Sequence, residues 1–399
     1  MEAIKSNLTS RAWGGILLVA GCCIGAGMLG LPVVSAMAGF IPTTLLFIVV
    51  WGFMCATGLL LLEVNLWFPN EVSIISMAGH TLGRWGQAAS WLLFCYLFYS
   101  IMVAYVDASG ALLAGVADDF GLLLPKWVGS VGFTLFFGLL IFVGTGAVDK
   151  FNRILMLGLV LSYAGLVVLG IRYVHPDLLL HKNWTSVAGI VPIMIISFGY
   201  HNLVPSLTTY LRRDRKALIS VIFWGSLLPL VIYLLWVGMV LGIVPAERFA
   251  QSLGGGDLAT QSLKEVVGSP SVLLFAENFA FFAIVSSFLS VALSFVDFLA
   301  DGFGISKTPK GKTKLILMTL LPSFVFAFLY PGIFLTALSY AGAFGTVVLF
   351  GILPALMAWK GRTLNRTPIL PGGKVSLVAI ILFAVAVIFL KIAQDLGVV

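Results

Sequence analysis

Long apolar runs separated by short clusters of charge dominate the chain. Residues 12–62 contain no Asp, Glu, Lys or Arg, which is enough for two membrane-crossing helices at about 20 residues each. The pattern predicts eleven spans: about 12–38, 42–68, 86–116, 127–148, 154–172, 187–211, 217–244, 272–300, two within the uncharged stretch 315–359, and 375–394. Gly39-Phe40-Ile41-Pro42 turns the first span into the second, and Tyr330-Pro331-Gly332 divides the ninth from the tenth. Asp149-Lys150-Phe151-Asn152-Arg153 is expected to separate the fourth from the fifth. Gly254-Gly255-Gly256, inside the longest polar interval, reads as a flexible loop.

Composition narrows the class. Of 399 residues, 60% are hydrophobic and 10% charged, too little polar surface to cover a soluble domain. Long uncharged runs exclude a β-barrel, whose strands alternate over about ten residues. The expected fold is an all-α polytopic membrane protein, a single membrane domain over 1–399. A cleaved signal peptide is not expected, because the first apolar run is far longer than an h-region. Cys22, Cys23, Cys55 and Cys95 all fall inside apolar spans and read as small buried hydrophobes. With the N-terminus in the cytoplasm and the C-terminus in the periplasm, every basic residue but Lys126, Arg172, Lys182, Arg248, Lys264 and Lys391 falls on the inner side. The basic clusters are then topology signals and call for no nucleic acid. The partner they imply is a lipid bilayer.

Two spans invite their own interruption. The first carries Gly21-Cys22-Cys23-Ile24-Gly25-Ala26-Gly27-Met28 followed by Gly30 and Pro32, and the sixth carries Ile196-Ser197-Phe198-Gly199-Tyr200-His201-Asn202 between Pro192 and Pro205. Glycine and proline weaken helix, and in hydrocarbon every freed N–H and C=O needs a partner. The glycines also form a Gly21-x-x-x-Gly25 pair, a helix-packing device. Five spans separate the two interruptions, and an odd step inverts the second unit. Paired interruptions in inverted halves point to the binding site of a secondary transporter.

The first-span motif, Leu60-Leu61-Leu62-Glu63-Val64, Ser197-Phe198-Gly199-Tyr200-His201 and Phe295-Val296-Asp297-Phe298-Leu299-Ala300-Asp301 resemble the bacterial aromatic amino acid permeases over nearly the whole chain. These tyrosine- and tryptophan-specific transporters belong to the amino acid–polyamine–organocation superfamily. The resemblance implies a LeuT-type 5+5 inverted repeat with broken first and sixth helices: 12–173, then 187–358, with 375–397 as an extra eleventh helix. It implies a symporter for tyrosine, tryptophan or both, working by alternating access with H+ or Na+ as coupling ion and no cofactor. A monomer is expected.

A zwitterionic amino acid carries two charges that are costly to bury. At the first break the amides of Ala26, Gly27 and Met28 are candidates for its carboxylate, helped by the helix dipole. The carbonyls of Gly21, Cys22, Ser197 and Phe198 are candidates for its ammonium group. Gly25, Gly27 and Gly199 leave room for close backbone approach, and Phe198 and Tyr200 are expected to line the side-chain pocket. His201 is placed either to carry a proton or to satisfy a freed carbonyl. By resemblance, Ser286 and Ser287 match a hydroxyl pair that holds sodium with the carbonyls of Gly21 and Ile24. Either serine can equally bond a carbonyl of its own helix. Glu63, Asp107, Glu277 and Asp297 are candidate proton or gate groups, with Glu63 and Asp297 equally placed to tether helices.

The alternatives are a carrier of broader neutral specificity, a channel or sensor on the same fold, and a membrane enzyme. No H-E-x-x-H, G-x-S-x-G or C-x-x-C occurs. Gly311-Lys312-Thr313 ends like a P-loop but has Ser306 where the first glycine belongs.

Overall fold

A computed structural model describes residues 2–70, 72–119, 121–249, 258–364 and 366–398. The expected Gly254–Gly256 loop lies outside them. Among the described residues, ten helices are long and apolar enough to cross a membrane, and a bent pair makes eleven. That pair is the first span: α1 (Glu2–Cys23) and α2 (Gly27–Ser35), with a 58° bend between them. The protein is an all-α polytopic membrane protein, as its apolar runs dictate.

The next spans are α3 (Phe40–Asn65), α4 (Ile74–Asp119), α5 (Lys126–Val143) and α6 (Thr145–Gly170). The sixth span opens with a 3-10 turn at Trp184–Ile190, continues as α7 (Val191–Ser197) and ends as α8 (Val204–Tyr210). Then come α9 (Arg215–Ile243), the short α10 (Ala259–Val266), α11 (Pro270–Phe303) and α12 (Pro309–Leu329). The tenth span joins α13 (Phe334–Tyr340), a π-helix (Ala341–Ile352) and α14 (Leu353–Thr363), and α15 (Gly373–Asp395) closes the chain.

One boundary differs from expectation. The fourth and fifth spans part at Gly144, not at Asp149–Arg153. Gly144 has φ 125°, a conformation L side chains rarely adopt. Asp149 and Arg153 instead form an exposed i,i+4 ion pair at 3.0 Å on α6. A helix end that reaches the headgroup region carries charge without stopping. The stretch 69–85, expected to be only polar connection, holds the first turns of α4, which kinks at Gly83 (φ 80°).

Packing follows small residues. Gly158 and Gly165 of α6 leave no room for a Cβ against the rings of Phe282 and Phe275 of α11. The pairing runs in opposite senses along the two helices, so they are antiparallel. Gly15 meets Val221, and Gly225 meets Val19, so α1 and α9 run parallel. Away from these contacts the surface is aliphatic: Leu157, Val160, Leu161 and Val168 of α6 are exposed, a face suited to lipid. Arg84, Lys150, Arg213, Lys307 and Arg362 gather at span ends that form one basic end of the bundle.

Candidate functional site

α1 stops at Cys23 because three small residues in four positions follow it and because another helix supplies a substitute partner. The amide of Ala26 donates to Ser287 Oγ of α11 at 2.9 Å. A Cβ on Gly25 would fall on that same hydroxyl oxygen. The chain therefore needs glycine at 25 for α11 to cap the break. Ile24 N–H still reaches Ala20 O at 2.9 Å, and Met28 N–H turns back to Gly25 O at 3.1 Å. Among the described residues, the amides of Gly25 and Gly27 and the carbonyls of Gly21 and Cys22 have no hydrogen-bond partner. Of the expected anion cradle, Ala26 and Met28 donate within the protein in this conformation, and Gly27, like Gly25, keeps an unpaired amide among the described residues.

The sixth span opens at matching residues. α7 ends at Ser197, Gly199 N–H bonds Ile196 O at 3.0 Å, and Tyr200 N–H bonds Phe198 O at 3.0 Å. A 3-10 turn at His201–Leu203 then leads into α8. The two breaks touch where Cys22 Sγ lies 3.8 Å from Gly199 O. They also share one residue of α9. The hydroxyl of Tyr233 lies 2.6 Å from Cys23 O and 2.7 Å from Ser197 O. Three residues on, Trp236 Nε1 donates to Met28 O at 2.9 Å. Both carbonyls next to Tyr233 are helix C-termini, so the carbonyl of Ser197 is occupied, and that of Phe198 accepts Tyr200 N–H.

Three expectations change with the structure. Cys22 is exposed, not buried. A thiol exposed at mid-span opens onto a crevice, and burial holds for Cys23 and Cys55 while Cys95 is half-buried. Phe198 and Tyr200, expected to line the side-chain pocket, are wholly buried in this conformation. Phe198 packs on Tyr233 (centroids 5.2 Å apart) and edge-on to Phe47 (6.4 Å). Tyr200 donates its hydroxyl to Met54 O at 3.1 Å, in space that Gly58 leaves free. His201 satisfies no freed carbonyl: its Nε2 meets Thr57 Oγ1 at 2.9 Å. The Thr57 hydroxyl donates to Met54 O, so Nε2 carries the proton and Nδ1 is left without a partner. The imidazole is sandwiched between Tyr200 and Phe350, each 4.8 Å away.

The acidic candidates separate by environment. Glu63 is fully buried and takes a two-point contact from Arg362, with Nε and Nη2 each at 2.8 Å. It also accepts the amide of Ile369 at 2.7 Å, so it tethers the basic loop to α3. Asp107 is buried and caps the start of the tenth span, accepting Gly332 N–H at 2.9 Å and Phe334 N–H at 3.0 Å. Asp297 pairs with Lys307 at 2.7 Å at the basic end, both side chains half exposed. Glu277 is half-buried toward the other end of α11 and is engaged by an interaction of its own. Of the serine pair, Ser286 bonds its own helix at Ala283 O (3.3 Å) while Ser287 caps the broken first span. Ser287 thus meets the break at Gly25 and Ala26, while the hydroxyl of Ser286 stays on its own helix.

Sequence reasoning missed Tyr233 and Trp236, aromatic residues in an apolar span whose polar heads reach the breaks. It also missed a polar face on α11. Ser287, Ser290, Ser294, Asp297 and Asp301 recur at spacings of three and four, which puts them on one side of the helix. Ser290, Ser294, Asp297 and Asp301 are exposed. Asn202 of the 3-10 turn and Ser206 and Thr209 of α8 repeat the pattern, and all three are exposed. Polar exposed faces on membrane helices need water or protein beside them.

The sequence model of the tryptophan/tyrosine permease family matches residues 8–391. The tryptophan-specific transport protein of Shigella flexneri is 31% identical over 397 residues, 96% of each chain. Tyrosine-specific transport system 2 of Haemophilus influenzae is 31% identical over 401 residues, 98% of each chain. The tryptophan-specific transport protein of Pseudomonas aeruginosa is 30% identical, covering 94% of this chain and 92% of its own. With nearly its whole length matched, the chain belongs to the tryptophan/tyrosine permease family, a family of membrane transport proteins and not of enzymes.

Proposed function

We propose that the protein is a secondary active symporter that imports tyrosine, tryptophan or both across the bacterial cytoplasmic membrane by alternating access. Equal identity to tryptophan- and tyrosine-specific relatives supports the substrate class. The observation that carries the mechanism is the pair of helix breaks joined at Tyr233, with unpartnered donors at Gly25 and Gly27 beside unpartnered acceptors at Gly21 and Cys22. The donors receive the substrate carboxylate and the acceptors its ammonium group, so a zwitterion is held without a charged side chain. The aromatic ring enters beside Phe198 and Tyr200, which are shut in this conformation and part when substrate binds. The coupling ion is H+ or Na+, and the oxygens of Gly21, Ile24, Ser286 and Ser287 are the sodium candidates, with Ser287 the one already at the break.

The two repeats are 12–173 and 187–358, each opening with an interrupted span, and 375–397 stands outside them. The basic end is cytoplasmic, following the distribution of Lys and Arg. The exposed polar faces of α8 and α11, with Cys22 at their upper limit, form the aqueous route from the break to that end. A monomer is the transporting unit.

The test is uptake of labelled tyrosine, tryptophan and phenylalanine into proteoliposomes, with leucine as the broader-specificity control. It is run with and without sodium at two pH values. Accumulation of tyrosine or tryptophan above the outside concentration, abolished by an ionophore for the coupling ion, is expected. Mere equilibration marks a channel, and equal leucine uptake marks a broader carrier; either overturns the reading.

A further inference from the structure

We infer that the groove between the basic ends of α4 and α11 is a binding site for one anionic phospholipid. The groove has a volume of about 750 Å³, within the range of small-molecule sites. Its walls combine two chemistries. Arg84 and Gln87 offer donors, while Ile75, Trp91, Leu92 and Phe303 are apolar.

The kink at Gly83 shapes the site. Its φ of 80° turns residues 74–82 away from the span axis. Ile75 therefore comes in from one side of the kink, and Arg84 and Trp85 from the other. On the far wall Gly302 lies so close to the Trp91 indole that a Cβ would not fit. Trp91 stacks on Phe298 (5.7 Å) and meets Phe303 edge-on (5.5 Å), which fixes the wall in place.

Depth and charge select the occupant. The groove sits where the apolar length of the third span begins and that of the eighth ends. Trp85 is 88% exposed, Leu92 63% and Phe303 52%. That combination suits the boundary between headgroups and acyl chains, where tryptophan concentrates. Among the described residues no carboxylate pairs with Arg84. Asp301, adjacent to Gly302, lies on the polar face of α11 with Asp297. A guanidinium matches the oxygens of a phosphate in a two-point contact, and basic pockets between membrane helices hold acidic headgroups. The phosphate lies on Arg84 and Gln87, and an acyl chain runs along Leu92, Trp91 and Phe303. The inference stands independently of the transported substrate and of the coupling ion.

The full-length protein in lipid nanodiscs provides the test. Trp85 emission is isolated as the difference between the parent and Trp85→Phe. Dibrominated phosphatidylglycerol is expected to quench it at about one-fifth the mole fraction that dibrominated phosphatidylcholine requires, the factor one arginine supplies at an acidic surface. Arg84→Gln removes that preference, and Arg84→Lys, which keeps the charge, retains most of it. Equal quenching by the two lipids in the parent overturns the site, as does a preference that survives Arg84→Gln. Quenching by neither lipid, with concentration-dependent self-association, assigns the groove to a second copy of the chain and also overturns it.

Discussion

The hydroxyl of Tyr233 lies 2.6 Å from the carbonyl oxygen of Cys23. That carbonyl ends the first half of the first span, and the same hydroxyl lies 2.7 Å from Ser197 O, which ends the first half of the sixth. A phenol has one proton to donate, so two helix termini compete for it. The two breaks are thereby linked: a movement of either helix alters what the other carbonyl receives.

Tyr233→Phe tests the link. The ring can keep its packing against Phe198 and Phe47, while both carbonyls lose their donor. Leaving buried acceptors unpaired costs about 1–3 kcal/mol. The variant is expected to unfold at lower temperature in detergent and to bind tyrosine or tryptophan more weakly. Unchanged melting and unchanged affinity together would show that the hydroxyl links nothing.

Gly25→Val addresses the free amides. Its Cβ would strike Ser287 Oγ, displacing α11 from the cap on Ala26. The expected result is normal membrane insertion with affinity reduced more than about tenfold, equivalent to about 1.4 kcal/mol. Equilibrium binding of labelled substrate to purified protein measures it. Normal affinity would place the substrate elsewhere.

Much of this was legible in the sequence, and the reasons are local. The absence of charge over 12–62 and the turn signals at Gly39 and Pro331-Gly332 are properties of neighbouring residues. The break at Gly25–Gly27 was readable because glycine and proline weaken helix wherever they occur. What escaped depends on partners distant in the chain. Nothing near Glu63 announces that Arg362 is its counter-ion, and nothing near Ala26 announces that Ser287 accepts its amide. The boundary at Gly144 escapes the sequence pattern because charge does not end the span: the helix carries Asp149 and Arg153 on its exposed surface. The π-helix at Ala341–Ile352 had no signal: it brings Gly342 against Pro192 O of the sixth span, a demand of packing alone.

The two serines of α11 should behave differently. Ser287→Ala removes the acceptor of Ala26 N–H, whereas Ser286→Ala loses only a 3.3 Å bond within its own helix. The first is expected to lower substrate affinity and the second to leave it close to the parent value. If parent uptake depends on sodium, Ser287→Ala raises the sodium concentration needed for half-maximal uptake, and the double variant abolishes the dependence. Equal effects of the two single variants would contradict the geometry.

Arg362→Ala is the last and most severe substitution. Glu63 is completely buried, and Arg362 supplies both of its side-chain donors, with the Ile369 amide as a third. Without the guanidinium, a carboxylate at the end of α3 keeps only backbone amides. Stranding one member of a buried pair costs about 3–5 kcal/mol. Arg362 also donates to Gly373 O and Leu370 O, so its loss frees the whole segment between α14 and α15. Two readouts separate these effects. Thermal unfolding reports the stranded charge, and protease cleavage within 364–372 reports the freed loop. Glu63→Gln should be the milder change, because an amide can still accept the Ile369 N–H and leaves no unpaired anion, while Arg362 keeps its carbonyl partners. If Glu63→Gln proves as destabilising as Arg362→Ala, the ion pair and not the loop anchorage dominates this end of the bundle.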